Sequence, residues 1–163
     1  WERNYITIDG FRSPSIAHTW ARIVHSHHIR LTNNYFEKAG ATGIQGGILL
    51  IDTHDSEISH NVIVDGNDNL VLLGSDRNSI HHNEIRKGRH SVLALKCSSY
   101  NHVHHNQMSN EIQKVMEMYD CGGSSEQRFA GLVGDKPCEF NVVEDNVFGV
   151  TPVDDGDGPY NHI

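Results

Sequence analysis

Five short segments of this chain share one pattern built around an asparagine, and that repetition limits the fold more than any other feature. They read IRLTNNYF (29–36), EISHNVI (57–63), SIHHNEI (79–85), HVHHNQM (102–108) and VVEDNVF (142–148). The aligned residues are Asn34, Asn61, Asn83, Asn106 and Asn146, at intervals of 27, 22, 23 and 40 residues. Three positions before the Asn stand Leu31, Ile58, Ile80, Val103 and Val143; two positions after it stand Phe36, Ile63, Ile85, Met108 and Phe148. Two apolar columns in fixed register, with a polar residue between them, describe coils that stack and bury their inner faces together. Asn suits the bend because it tolerates left-handed backbone and can satisfy stray backbone groups. At the spacing of a sheet, such side chains can bond to one another up the stack.

A second strand precedes each Asn: ARIV (21–24), ILLI (48–51), LVLL (70–73), LALK (93–96) and VMEMY (115–119). Turn residues follow in register at Ser26, Thr53, Ser75 and Ser98, then at Ser56, Asn78 and Asn101. Gly66 and Gly88 mark coil exits, and YITIDGF (5–11) opens the stack. The long interval before Asn146 predicts an inserted loop over 121–138. No apolar period of 3.6 survives more than one turn, which excludes helices. An antiparallel sandwich does not account for an Asn in register. The expectation is an all-β, right-handed parallel β-helix (a solenoid) of five to six coils, a single domain over 1–163 with an Asn ladder. The start at Trp1 and the strand-like end at Ile163 read as a piece of a longer β-helix.

Formal net charge is −8, with no basic stripe to neutralise phosphates, so nucleic acid is not an expected partner. No apolar run is long enough for a membrane span. The 13 His residues would reverse the sign of the charge if all were protonated. Of three cysteines, Cys121 and Cys138 bracket a Gly/Ser-rich stretch that a disulfide could staple; three buried free thiols are the alternative. A disulfide would point to an oxidising compartment, and the expected location is extracellular or periplasmic.

The coil pattern, with its His60-Asn61-Val62-Ile63 and His82-Asn83-Glu84-Ile85 steps, resembles the parallel β-helix repeats of the pectin-lyase-like superfamily over about residues 4–163. The resemblance implies a carbohydrate-active protein, a lyase, epimerase or hydrolase working on an acidic polysaccharide in a lateral groove. The alternative is a non-catalytic carbohydrate-binding or structural module. The segment 93–108 resembles the coil carrying the catalytic Lys of alginate- and chondroitin-type lyases, with Lys96 at that Lys and Tyr119 where the partner Arg would stand. Uronate elimination needs a cation, a base and an acid, roles open to Lys96, Glu117 and Tyr119. Asp52-Thr53-His54-Asp55 resembles the acid–base element of mannuronan epimerases, making Asp52, His54 and Asp55 a second candidate group; an ordinary turn is the other reading. His25, His27, Arg77, Tyr100, His102 and His104 are expected to touch the polymer.

The column His60, His82 and His105, flanked by His81 and His104, reads first as structural stacking and second as a transition-metal site. Asp154, Asp155 and Asp157 form an acidic Gly loop that would suit Ca²⁺ or simply be a solvated turn. Finally, Leu49, Ile51, Val71 and Leu73 make the outer face of the second strand apolar as well. Such a face predicts a cover over Ile51 and Leu73, supplied by an N-terminal segment, missing coils, another domain or a partner chain.

Overall fold

The computed structural model describes residues 3–39, 47–110, 113–120 and 136–149. Among these, three all-parallel sheets stack into a β-solenoid of about five turns, without a helix. The first sheet runs Thr7–Asp9, Arg30–Thr32, Glu57–Ser59, Ser79–His81, His102–His104 and Val142–Glu144. The second holds Arg12–Ser13, Tyr35–Glu37, Val62–Val64, Glu84–Arg86, Gln107–Ser109 and Val147–Gly149. The third, with longer strands, holds Ala21–His27, Ile48–His54, Asp68–Leu73, Ser91–Lys96 and Lys114–Tyr119.

Register follows the Asn alignment. Leu31, Ile58, Ile80, Val103 and Val143 pair in one inward column. Phe36, Ile63, Ile85, Met108 and Phe148 pair in another. Ile23, Leu50, Leu72, Leu95 and Met118 form the third. All but Ile23, Val143 and Phe148 are at most 1% exposed, and the three columns meet in one continuous core. Phe148, in the last described strand, is 36% exposed and ends its column. The 40-residue interval is one rung in space: Asn101 donates to Asn141, and Asn106 to Asn146.

The corners differ from expectation in one respect. The left-handed residue is not the Asn but the one before it: Asn33, His60, His82, His105 and Asp145 have φ between 53° and 56°. Each Asn instead turns inward. Asn83 Oδ1 accepts from the backbone N–H and the Nδ2 of Asn61, and Asn83 Nδ2 donates to Asn106 Oδ1 and to Ile58 O. All its hydrogen-bonding capacity is therefore spent inside the coil, as a buried amide requires. A second ladder, Asn78, Asn101 and Asn141, repeats the scheme below left-handed Arg77, Tyr100 and Phe140. Ser75 and Ser98 hydroxyls accept backbone N–H groups at a third corner, below Asp52, Gly74 and Cys97. Gly88 is required by close approach rather than by φ, since a Cβ there would meet the Ser91 backbone carbonyl, whose carbon would stand 2.7 Å away.

The outer face of the third sheet is covered, as its apolar pattern demands. Leu49, Ile51, Val71 and Leu73 are at most 1% exposed and pack with Ala94 and Cys97. Among the described residues, the side chains packed on this face belong to its own sheet and the corner beside it: Val24, Ala94 and Cys97. The staple between Cys121 and Cys138 is not formed: Cys138 is not in a disulfide, while Cys97 is disulfide-bonded. Burial pushes the Cys138 thiol up to about 11, and its Sγ points to Leu95 O and Ser98 O.

Candidate functional site

Three polar groupings stand out on this frame. The first is an imidazole grid on the corner outside the Asn ladder. Left-handed backbone at His82 and His105 turns each ring back beside the ring before it. The result is two neighbouring pairs, His81 and His82 with Nδ1 atoms 3.0 Å apart, and His104 and His105 at the same distance. The pairs lie on consecutive rungs. His81 stacks on His104 (centroids 4.9 Å) and His82 on His105 (5.2 Å). His60 continues the stack one rung earlier, 5.1 Å from His82, and His102 lies 4.1 Å from His104. Burial lowers the pKa of His81, although the Glu57 carboxylate pulls the other way. Burial, followed by the charge of His102 and His81, lowers that of His104. Both rings are held toward the neutral, metal-ligating form.

The second grouping joins residues that the sequence singles out. Asp52 accepts from His25 (2.9 Å) and from His54 Nε2 (3.1 Å). The Asp76 N–H donates to His54 Nδ1 at 3.0 Å, which leaves the ring hydrogen on Nε2, facing Asp52. Burial would raise the Asp52 pKa, but the bonds from His25 and His54 outweigh it and hold the carboxyl below its ordinary range. Asp55 is not part of this group. It is clamped by Arg77 through two bonds of 2.7 and 2.9 Å.

The third grouping lies on the polar end of the third sheet. Lys96, Glu117 and Tyr119 do come together, with Lys96 Nζ 5.3 Å above the Tyr119 ring. Lys96 and Glu117 are each only 3% exposed, however, so they do not line an open groove for a polymer. Lys96 reaches back instead to Asp68 Oδ2 at 3.6 Å. Asp68 Oδ1 meets His90 Nδ1 at 3.0 Å, and Glu117 Oε1 stands 3.4 Å from the same nitrogen. Asp68 and His90 are not among the residues that the sequence pattern marks.

The remaining expected contact residues scatter. His27 Nδ1 lies 2.7 Å from His28 Nδ1, beside Tyr5. Tyr100 stacks on Phe140, and His102 bonds Glu144 at 2.8 Å. Asp154, Asp155 and Asp157 lie outside the described residues, so the acidic loop is not placed.

Comparison with known proteins adds one match. A family profile described as "Periplasmic copper-binding protein (NosD)" matches residues 12–146. The chain belongs to the NosD family. No curated protein and no solved structure matches. The NosD family is periplasmic, in agreement with the expected location. The NosD description names copper, and the donor sets can be tested against it. Imidazole suits copper, and two nitrogens about 2.0–2.1 Å from one metal at a right angle stand about 2.9 Å apart. The 3.0 Å Nδ1 separations of the imidazole grid fit that requirement. The carboxylate-rich group around Asp68 is a harder, mixed oxygen and nitrogen donor set.

Proposed function

We propose that this NosD-family chain is a periplasmic β-helix that holds copper on its outer imidazole corner. The observation that carries this reading is the pair of adjacent imidazole pairs, each with Nδ1 atoms 3.0 Å apart, on consecutive rungs. His81 and His82 would hold one ion and His104 and His105 a second, with His60 and His102 at the ends of the row. Copper bound there would be available for exchange, because His82 and His105 are exposed. The chain's own contribution is positional: the left-handed corners aim each ring, and the burial that lowers His81 and His104 favours the neutral ring, in which one nitrogen carries no proton.

The test is copper loading followed by equilibrium dialysis and electron paramagnetic resonance of the Cu²⁺ form. Nitrogen hyperfine structure is expected in the parent protein and should be lost in a variant carrying His81→Ala, His82→Ala, His104→Ala and His105→Ala. Unchanged copper content and an unchanged spectrum in that variant would exclude the corner as the site.

A second reading, acid–base processing of an acidic polysaccharide, is supported by the Asp52–His54 pair. These side chains are 33% and 24% exposed, and the His54 hydrogen is directed at the carboxylate. Incubation with uronate polymers tests it. Unsaturated ends by absorbance, or altered uronate stereochemistry by NMR, should appear with the parent and vanish with Asp52→Asn. Absence of both products on every polymer would sink this reading, and the chain would then stand as a non-catalytic module.

A further inference from the structure

The buried polar group on the third sheet is built as a ligand set. Asp68, His90 and Glu117 come from three successive rungs, and one ligand atom of each lies within 4.8 Å of the others. The two carboxylates are held in the same way. Asp68 Oδ2 faces Lys96 Nζ at 3.6 Å, and Glu117 Oε2 faces Lys114 Nζ at 3.4 Å. Each lysine thus engages one oxygen, and the other oxygen of each carboxylate turns to His90 Nδ1. Asp68 Oδ1 is further oriented by the Ser91 N–H and hydroxyl, at 3.2 and 3.0 Å. Such outer contacts fix the aim of a metal-ligating carboxylate.

One atom in this arrangement is left over. An imidazole Nδ1 carries at most one hydrogen, and the shorter contact directs it to Asp68 Oδ1 at 3.0 Å. Glu117 Oε1 is then without a hydrogen-bond partner, although Glu117 is only 3% exposed. A buried carboxylate oxygen with no partner is costly, and it points at the same nitrogen that Asp68 uses. A cation seated between the three atoms satisfies all of them at once. The separations of 3.0 and 3.4 Å match ligands about 2.0–2.2 Å from one ion, which stand about 2.9–3.5 Å apart between right-angled and tetrahedral geometry.

We propose that Asp68 Oδ1, His90 Nδ1 and Glu117 Oε1 form a site for a divalent first-row cation such as Zn²⁺, separate from the imidazole corner. Two carboxylates and one imidazole make a harder set than imidazoles alone, of a kind that suits Zn²⁺ and other divalent first-row ions. Access is from the His90 side, where that side chain is 42% exposed while Asp68 and Glu117 are nearly closed off. The Lys114 side chain beside Glu117 is 41% exposed, so this edge of the group also reaches solvent. Three protein ligands leave a coordination position open for water.

The test uses the protein lacking the four imidazoles of the corner, so that the two sites are read separately. Zn²⁺ is titrated by calorimetry, and the melting temperature is followed with and without it. One equivalent of Zn²⁺ and a raised melting temperature are expected. Glu117→Gln keeps the shape of the side chain but removes the anionic ligand. This variant and His90→Asn should each weaken Zn²⁺ at least about tenfold while melting normally without metal. No Zn²⁺ binding at millimolar concentration, or binding unchanged in both variants, would overturn the site. Neither result bears on copper at the corner, which the spectrum of the intact protein reports.

Discussion

His82 and Asn83 are neighbours in sequence and occupy opposite sides of one corner. The inner column, Asn34 through Asn146, is chemically uniform, and its four innermost members are buried. The outer column, Asn33, His60, His82, His105 and Asp145, shares only a left-handed backbone and varies freely in chemistry. The inner residues answer to the backbone groups around them, and Asn, with a donor and an acceptor on one short side chain, meets both needs. The outer residues answer only to solvent and to each other. In a solenoid, scaffold and function can therefore alternate residue by residue along one strand–turn unit.

The largest effect that separates the two columns is on stability. Asn83→Ala removes partners from the Asn61 N–H and from Ile58 O, both inside the stack. Leaving such groups unpaired costs about 1–3 kcal/mol each, so a total loss of about 2–6 kcal/mol is expected by urea unfolding. A loss below about 1 kcal/mol would mean that the ladder is decoration and that the apolar columns alone hold the coil.

His82→Ala, one residue away, should change stability by no more than about 0.5 kcal/mol, because the ring is exposed. Its effect belongs to copper: the His81–His82 pair would be broken, and stoichiometry measured by dialysis should fall while the His104–His105 pair is kept. If His82→Ala destabilises the protein as much as Asn83→Ala, the stacked rings are scaffold and the contrast between the columns fails.

The Asn register was enough to read all three inward columns, because every coil repeats the same burial problem and solves it with the same residue types. The conformation of the corner was less legible. Asn is the residue that ordinarily suggests left-handed backbone, yet here its amide is committed to the coil interior, and the turn falls on whatever precedes it, His in three cases. The Asp68, His90 and Glu117 group was hidden for a different reason. Ser91, not His90, pairs with Asp68, while Glu117 pairs with Ala94, so the three are out of register and only long side chains bring their tips together. Column alignment finds ladders and misses such convergence. Lys96 and Tyr119, which are in register, are legible as neighbours, but the burial of Lys96 is not written in their own strands.

The smallest effect is a dependence of stability on pH, to which the imidazoles of the outer layer contribute and the inner amides do not. Amides of the inner column do not titrate, whereas His81 and His104 have folded-state pKa values lowered from 6.5, chiefly by burial. A lowered value means that the unfolded chain takes up the proton first. The stability these rings contribute is complete above pH 6.5 and is lost as pH falls from there through their folded values. Asp52, Asp55 and Glu57 are also lowered, from 3.8, 3.8 and 4.5, so their contributions persist to more acid conditions and fade below those values. Melting temperature without metal should therefore decline in two stages, first just below pH 6.5 and then below about pH 4.5. Replacing His81 and His104 by Gln should flatten the first stage and leave the second. A first stage that survives both replacements would place the sensitive groups elsewhere, and the imidazole corner would lose its claim to be held neutral by its own packing.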